Sequence, residues 1–242
     1  MVSTSAQRIG AGLSLLFEPG ERPSLDVLRA ALGGCQTRAE VIHADEDRGT
    51  ADVIVSGLGF EMDGLAPALA QVAASAGGDH GALSLSEGQH AVRLFPGHAL
   101  SGGLTLSAVT RALLALAAEL AVSLPVHAVR WHPADARIDA QAFSRSVLAW
   151  LAGGAFPAPG LVALTRLGDG SVVSRGLAHF VGQEVTLRGG TDEHGLKLAA
   201  RAVDQLVQTG PLLSFTQWRL LDTLVNAEPA RHAKQILLWK AE

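Results

Sequence analysis

Short apolar runs alternate with helical patterns along this chain, and glycine or proline closes most of them. The short runs suit strands, while the longer segments repeat apolar residues at helical spacing. The predicted order is strand, helix, strand, strand and helix, followed by strand, helix, hairpin, strand and helix. This order predicts the α+β class. We expect two βαββα(β) ferredoxin-like units, packed into one compact body with a mixed or antiparallel sheet.

The first half, residues 1–122, carries both kinds of element. Strands are predicted at residues 13–17, 39–43, 51–58 and 90–95, and helices at 25–32, 65–76 and 104–121. Ser24 precedes the first helix, where its hydroxyl can accept a hydrogen bond from an otherwise free backbone N–H. Val53, Ile54 and Val55 form an unbroken apolar run, which predicts a strand buried on both faces.

The second half, residues 123–242, begins at a seam, 121–125, that is too short and too apolar for a flexible linker. One body is therefore expected rather than two mobile domains. Strands are predicted at residues 126–132, 161–167, 171–175, 183–188 and 235–239, and helices at 140–151, from 191 or 192 to 208, and at 216–225. Asp139 is the expected N-cap of the first of these helices. The last strand is expected at the edge of a sheet.

Charge and hydropathy exclude two classes of partner. The net charge is −4 and the basic residues are dispersed, so we expect neither nucleic acid nor a membrane surface as a partner. The most apolar run, residues 112–122, is shorter than the ~18–20 residues that a membrane span needs. Residues 1–12 lack the pattern of a signal peptide, and the single Cys35 cannot form an internal disulfide. These features predict a cytoplasmic protein.

The familiar motifs of enzyme classes are incomplete in this sequence. Gly57 and Gly59 follow a predicted strand, but the third glycine of a dinucleotide-binding loop would fall at Met62. The pair Gly102 and Gly103 opens a predicted helix without the lysine of a phosphate-binding loop. The nine histidines show none of the usual spacings of metal ligands. The sequence therefore predicts no catalytic residue, no cofactor and no metal.

Several segments of the second half share a pattern with one bacterial family. They are the strand Ala128-Val129-Arg130-Trp131-His132-Pro133, then Phe143, the step Arg175-Gly176-Leu177, the residues Phe180, Gly182, Glu184 and Val185, and Gly210 after a helix. Through these residues, positions 126–212 resemble the bacterial domain-of-unknown-function family 4261. Residues 212–216 depart from the acidic segment that often closes that family. The resemblance implies a cytosolic bacterial protein and a shared fold, and it implies no catalytic residue.

Five polar side chains are the candidate binding residues, namely Arg130, His132, Arg175, His179 and Glu184. Arg130 and His132 lie near the end of one predicted strand, and they meet the other three if the predicted hairpin packs alongside. A histidine–glutamate pair with two arginines suits anion recognition or proton transfer. The alternative is an ordinary solvated sheet edge with surface salt bridges.

The C-terminal segment is apolar and aromatic, with Trp218, Trp239 and several leucines. Such a segment either folds back over the core or forms a surface for a second copy or another protein partner. Because the enzyme motifs are incomplete, we expect a non-catalytic protein that acts through protein–protein contacts. The alternative is a small-anion-binding protein or enzyme that uses the five candidate residues.

Overall fold

A computed structural model describes residues 4–68, 90–190, 192–230 and 234–241 of the chain. The chain divides into two compact units, Met1–Ala155 and Phe156–Glu242, called here the first and second units. Its described residues form seven α-helices and two β-sheets, one sheet in each unit. The predicted α+β class is confirmed.

The first unit contains a seven-stranded sheet in which all neighbouring strands are antiparallel. Its helices are α1 (Thr4–Gly10), α2 (Leu25–Gly33), α3 (Ser107–Ser123) and α4 (Ala140–Leu151), with a short 3-10 helix at His98–Leu100. Its strands are β1 (Leu13–Phe17), β2 (Glu40–Asp45), β3 (Thr50–Val55), β4 (Leu58–Asp63), β5 (Ala91–Pro96), β6 (Val126–Trp131) and β7 (Ala136–Asp139). The strand order is β2-β3-β4-β5-β1-β6-β7, so β1 lies between β5 and β6.

One face of this sheet is strongly apolar. Leu13 pairs with Leu94 on one side and with Trp131 on the other, and all three side chains are fully buried. Directly opposed residues on neighbouring strands share a face, so these three lie together. The helix α3 contacts β4, β5 and β6 and buries a stripe that includes Leu113 and Leu116. The buried stripe of α3 therefore covers the apolar face of the sheet. Polar groups lie on the opposite face.

The second unit contains a six-stranded mixed sheet in the order β11-β12-β13-β10-β9-β8. Its helices are α5 (Ala158–Leu161), α6 (Ala178–Val181) and α7 (Glu193–Thr209), and its strands are β8 (Ala163–Arg166), β9 (Val172–Arg175), β10 (Glu184–Leu187), β11 (Thr216–Leu220), β12 (Thr223–Pro229) and β13 (Gln235–Lys240). The neighbours β10 and β13 run parallel, and the other pairs are antiparallel. The core of the unit joins α7 to the sheet through residues such as Leu198, Leu206 and Ile236.

The predicted caps and the predicted hairpin of the second half are confirmed. The Ser24 hydroxyl accepts from Val27 N at the start of α2, and Asp139 accepts from Ala142 N at the start of α4. Asp192 caps α7 in the same way. The predicted hairpin of residues 161–175 is present as β8 and β9, which pair in antiparallel register.

Two predictions about strands in the first half differ from the structure. The run at 51–58 is a hairpin of β3 and β4, because Ser56 and Gly57 take φ values of 51° and 82° that suit a tight hairpin turn. Val53 and Val55 are buried while Ile54 between them is only half-buried, so β3 buries one face rather than two. The predicted helix at 65–76 falls mostly outside the described residues.

Two predictions about the C-terminal segment are wrong. Residues 216–225 form the hairpin of β11 and β12 instead of a helix, since alternate residues Trp218 and Leu220 face the core and the chain turns at Leu221 with φ 54°. The strand β13 lies between β12 and β10 rather than at an edge. Its apolar residues Ile236 and Leu238 are completely buried, as a central strand requires.

The two units do not repeat one pattern. Strands β6 and β7 complete the first sheet, so the predicted seam at 121–125 joins α3 to β6 within the first unit, and the chain divides after Ala155. The sheets differ in strand number and order, and only the second has a parallel pair among its described strands. The prediction of two ferredoxin-like units is therefore not confirmed.

Candidate functional site

A row of polar residues crosses the first sheet, with one member on each strand. In spatial order the row is Asp45, Thr50, Asp63, Arg93, Ser14, Arg130 and Arg137. Each member is the register partner of the next, so all seven lie on one face of the sheet. We call this set the polar row. It lies on the face opposite Leu13 and Leu94, because successive side chains of a strand point to opposite faces.

Two of the three arginines of the polar row, Arg93 and Arg130, are held in ion pairs. Arg93 forms a bidentate ion pair with Asp63, in which both N–O distances are 2.6 Å. Both side chains are largely buried. Arg130 Nη2 and Nε lie 2.5 and 3.0 Å from one carboxylate oxygen of Asp135. Burial raises the pKa of Asp63 against the opposing effect of Arg93. Each buried cation here has an acidic partner, which is the arrangement that makes burial of charge tolerable.

Ser14 and His132 form a hydrogen-bonded pair in the centre of this row. His132 Nδ1 lies 2.7 Å from the carbonyl oxygen of Ile9, which can only accept, so Nδ1 carries the proton. Nε2 is then an acceptor for the Ser14 hydroxyl, 2.8 Å away. Burial, reinforced by Arg130 and Arg93, lowers the pKa of His132 to about 4, so the ring is neutral at pH 7.

The chemistry open to Ser14 is limited by its burial. A hydroxyl that donates to a neutral, oriented imidazole is the arrangement used for nucleophilic catalysis. However, the Ser14 residue is 0% exposed, so no substrate can reach it in this conformation. In the structure as it stands, the pair connects β1 with the end of β6 and, through the Ile9 carbonyl, with α1. Its evident role is to hold these elements together.

Glu184 organises the loop between β9 and β10 in the second unit. One carboxylate oxygen accepts hydrogen bonds from Gly176 N at 2.8 Å and Ala178 N at 3.1 Å, and the other accepts from the Ser174 hydroxyl at 2.5 Å. These donors precede or open α6, so the carboxylate fixes the start of that short helix. Glu184 is therefore held by two backbone N–H groups and one side-chain hydroxyl.

The five predicted binding residues fall into two groups. Arg130 and His132 lie together in the first unit, where they belong to or adjoin the polar row. Arg175, His179 and Glu184 lie on the segment from β9 to β10 in the second unit. Burial lowers the pKa of His179 to about 4, and its ring lies edge-on to Phe180. Convergence of the two groups on one ligand stays a prediction.

Sequence reasoning missed Ser14, Asp63 and Arg93, although a signal was present. Each of β1 and β5 is an apolar strand that contains a single polar residue, Ser14 in one and Arg93 in the other. A lone polar residue in a buried strand needs a polar partner on the same face. The sequence alone does not show the strand register that places Ser14, Arg93 and Asp63 side by side.

The second unit exposes large apolar side chains near its C-terminal hairpin. Leu213, Phe215, Leu221 and Leu224 are 85, 54, 41 and 37% exposed. Leu224 and Trp239 lie on the face of the sheet opposite buried Val225 and Leu238, and the Phe215 ring contacts Trp239 with centroids 6.4 Å apart. We call Phe215, Leu221, Leu224 and Trp239 the C-terminal apolar patch. It flanks β11, the edge strand of the second sheet.

A surface cavity of about 390 Å³ lies at the turn between β8 and β9. It is lined by Arg166, Leu167, Gly168, Asp169, Gly170 and Gly190. The Asp169 carboxylate accepts from both the backbone N–H and the hydroxyl of Ser171, and these bonds lower its pKa. Asp169 therefore stabilises the turn, and we assign the cavity no chemistry.

No protein-family model, curated protein or solved structure matches this chain. The described part of the chain has no helix with the length and apolarity needed to cross a membrane. Within the same residues, no group of three histidine, cysteine or acidic side chains is placed to hold a metal ion. The resemblance to family 4261 stays a prediction.

Proposed function

We propose that the chain is a non-catalytic protein that acts through protein–protein contacts, and that the C-terminal apolar patch is its contact surface. The observation that carries the proposal is the exposure of Phe215 and Leu221 at the two ends of the edge strand β11. Apolar area left in water costs about 25 cal/mol per Å² relative to burial. A neighbouring cluster of such side chains is typical of an interaction surface.

The first partner that we propose is a second copy of the chain. Among the described strands, β11 pairs with β12 alone, so its other edge can accept a further strand. An antiparallel pair of two β11 strands centred on Trp218 places Phe215 opposite Leu221 of a second copy. Twofold symmetry repeats that apolar contact at the other end. Main-chain hydrogen bonds and two apolar contacts then support the same interface.

Variants at the two ends of β11 test this proposal. We expect Phe215→Ser and Leu221→Asn to convert a dimer to a monomer in sedimentation analysis, since each removes one half of the apolar contact. Asparagine suits the positive φ of Leu221, so the turn is preserved. Val122→Ser is the matched control, because Val122 is 68% exposed but lies on α3 of the first unit. Dimers that persist in both β11 variants would refute the proposed surface.

A small-anion-binding protein or enzyme is the second candidate function. It is supported by the hydrogen bond from Ser14 to His132 between the register partners Arg93 and Arg130, and it requires an opening of the first unit, because Ser14 is fully buried in this structure. Its test is the reaction of the intact protein with a fluorophosphonate probe and, separately, a thermal-shift titration with phosphate. Labelling of Ser14 that is lost in His132→Gln supports the enzyme reading. Absence of both labelling and a phosphate-dependent shift removes this candidate.

We also propose a family and a cellular location for the chain. The residues from Ala128 to Pro133 and from Arg175 to Val185 support kinship with family 4261. From that resemblance we propose a bacterial, cytoplasmic protein. Detection of the chain in the soluble cytosolic fraction of its source, by an antibody or mass spectrometry, tests the proposed location, and recovery in a membrane or extracellular fraction contradicts it.

A further inference from the structure

Gln217 and Arg219 are polar side chains on the outer face of the edge strand β11, opposite the core-facing Trp218. They are two positions apart, so they lie on one face of the sheet, and both are exposed. Gln217 Nε2 donates to Asn226 Oδ1 of β12 at 2.9 Å, and this bond orients the amide. In the part of the chain that the structure describes, Gln217 Oε1 has no donor and the Arg219 guanidinium has no acceptor. The edge strand therefore presents one free acceptor and one free donor group.

The backbone of β11 turns the same two residues toward the open edge of the sheet. Ala241 N donates to the carbonyl oxygen of Leu224 at 2.9 Å, so the backbone groups of Leu224 face β13. Opposed residues of an antiparallel pair either bond to each other or both face away. The N–H and C=O groups of Arg219, the register partner of Leu224, consequently point away from β12, and so do those of Gln217 two positions earlier. They are available to a further strand.

We propose that Arg219 fixes the register in which β11 binds a second copy, by donating to Gln217 Oε1 of that copy. This role presupposes the proposed dimer. In an antiparallel pair centred on Trp218, Gln217 of each copy lies opposite Arg219 of the other. The two residues then exchange backbone hydrogen bonds, and the free guanidinium meets the free amide oxygen. Twofold symmetry forms this contact twice, between the two apolar contacts of Phe215 with Leu221.

The neighbouring registers lack this match. A pair centred on Arg219 brings two guanidinium groups face to face, and like charges directly opposed destabilise a sheet. A pair centred on Gln217 opposes two identical amides and leaves Leu221 opposite Leu213, which lies beyond the bend of the chain at Ser214. Of these three registers, only the central one pairs a donor with an acceptor and an apolar side chain with another.

Replacement of Gln217 by glutamate tests the opposed pair through charge. In the proposed register the new carboxylate lies opposite Arg219 of the second copy in both contacts. We expect Gln217→Glu to lower the dimer dissociation constant, measured by sedimentation equilibrium, about fivefold, as two exposed ion pairs can do. The gain should disappear in Gln217→Glu/Arg219→Gln and in about 1 M NaCl. Gln235→Glu is the matched control, because Gln235 is exposed on β13, two strands from the open edge, and it should not lower the constant.

A failed register and a failed dimer give different results. A weaker dimer in Gln217→Glu would place the new carboxylate opposite its own copy, and an unchanged constant would show that Arg219 does not face this position. Either result overturns the role of Arg219, while a parent dimer still supports the contact surface. A parent protein with the mass of one chain at every concentration overturns both.

Disulfide formation between two copies provides a second test. Opposed Cα atoms in a backbone-bonded antiparallel pair are about 5.5 Å apart, within disulfide range, and diagonal neighbours are farther apart. Cys35→Ser first removes the single native cysteine. An oxidised equimolar mixture of Gln217→Cys and Arg219→Cys in that background should form a disulfide between positions 217 and 219, identified by mass spectrometry of the linked peptides. The mixed pair retains one contact of Arg219 with Gln217. Absence of the mixed disulfide, or a disulfide that joins two copies of either position instead, contradicts the proposed register.

Discussion

The Ser14 hydroxyl donates to Nε2 of His132 at 2.8 Å, and this bond connects the central strand β1 to the chain just beyond β6. His132 completes the connection by donating from Nδ1 to the carbonyl of Ile9 in α1. Ser14 lies between Arg93 and Arg130 in the register, and these two cations favour the neutral form of the His132 ring, which accepts the bond. Stability of the first unit should depend on this pair.

Replacement of Ser14 by alanine should destabilise the first unit. The variant leaves His132 Nε2 without its donor, and a buried acceptor without a partner costs ~1–3 kcal/mol. We expect urea denaturation to show a loss of this size. Ser123→Ala is the matched control, because Ser123 is exposed at the end of α3, and it should change the free energy of unfolding by less than about 0.5 kcal/mol. Equal effects of the two substitutions would contradict the assigned role of Ser14.

The stability of the first unit should fall with acidification through a defined window. The pKa of His132 is lowered to about 4, whereas a histidine in an unfolded chain titrates near ~6.5. Between these values the unfolded state binds the extra proton, so the free energy of unfolding rises with pH and levels off above the unfolded pKa. We expect a slope of up to about 1.4 kcal/mol per pH unit from this group.

Variants separate the contribution of His132 to the pH dependence of stability from the contributions of other titrating groups. His132→Gln should reduce the slope between about pH 4 and 6.5, because glutamine does not titrate. His98→Gln is the control, since His98 is exposed in the short 3-10 helix, and its slope should match that of the parent. A His132→Gln profile parallel to the parent profile would show that His132 does not carry the pH dependence.

Removal of the Glu184 carboxylate should loosen the loop around α6. Glu184→Ala leaves the N–H groups of Gly176 and Ala178 and the Ser174 hydroxyl without their acceptor. We expect a loss of ~2–4 kcal/mol, because several donors to a charged acceptor are lost together. Glu184→Gln, which retains one acceptor oxygen, should lose less. Glu228→Ala is the control on an exposed residue of β12, and if its loss equals that of Glu184→Ala, the role assigned to the Glu184 carboxylate is wrong.

Truncation before the C-terminal hairpin should unfold the second unit. Deletion of residues 215–242 removes β11, β12 and β13, and β13 is the parallel neighbour of β10. The loss exposes one edge of β10 and the core that includes Val185 and Leu187. We expect an insoluble or molten product, with dye binding and loss of near-UV circular dichroism. A soluble truncated chain with the cooperative transition of the parent would show the segment to be dispensable.

Local features were predictable from the sequence, whereas pairing over distance was not. The caps at Ser24 and Asp139 follow from side-chain chemistry beside helical patterns, and the structure confirms both. The helix predicted at 216–225 failed because leucine spacing there fits a helix as well as a hairpin, and sheet pairing decided the outcome.

In the candidate site, too, residue types were predictable but pairing over distance was not. His132 and Glu184 were identified from residue type, but their structural roles depend on partners that are 118 and ten positions away in the chain. Ser14 and Arg93 were missed because only the register of β1 and β5 brings them together. A pattern that is local in sequence cannot specify such a register.

The most direct test of the proposed function is the molar mass of the intact protein in solution as a function of concentration. Sedimentation equilibrium at neutral pH should give twice the chain mass of 25.1 kDa in the micromolar range, with dissociation to one chain on dilution. The same dissociation should occur at higher concentration in the Phe215→Ser variant. A mass of one chain at every concentration would contradict the proposal that β11 and the C-terminal apolar patch bind a second copy.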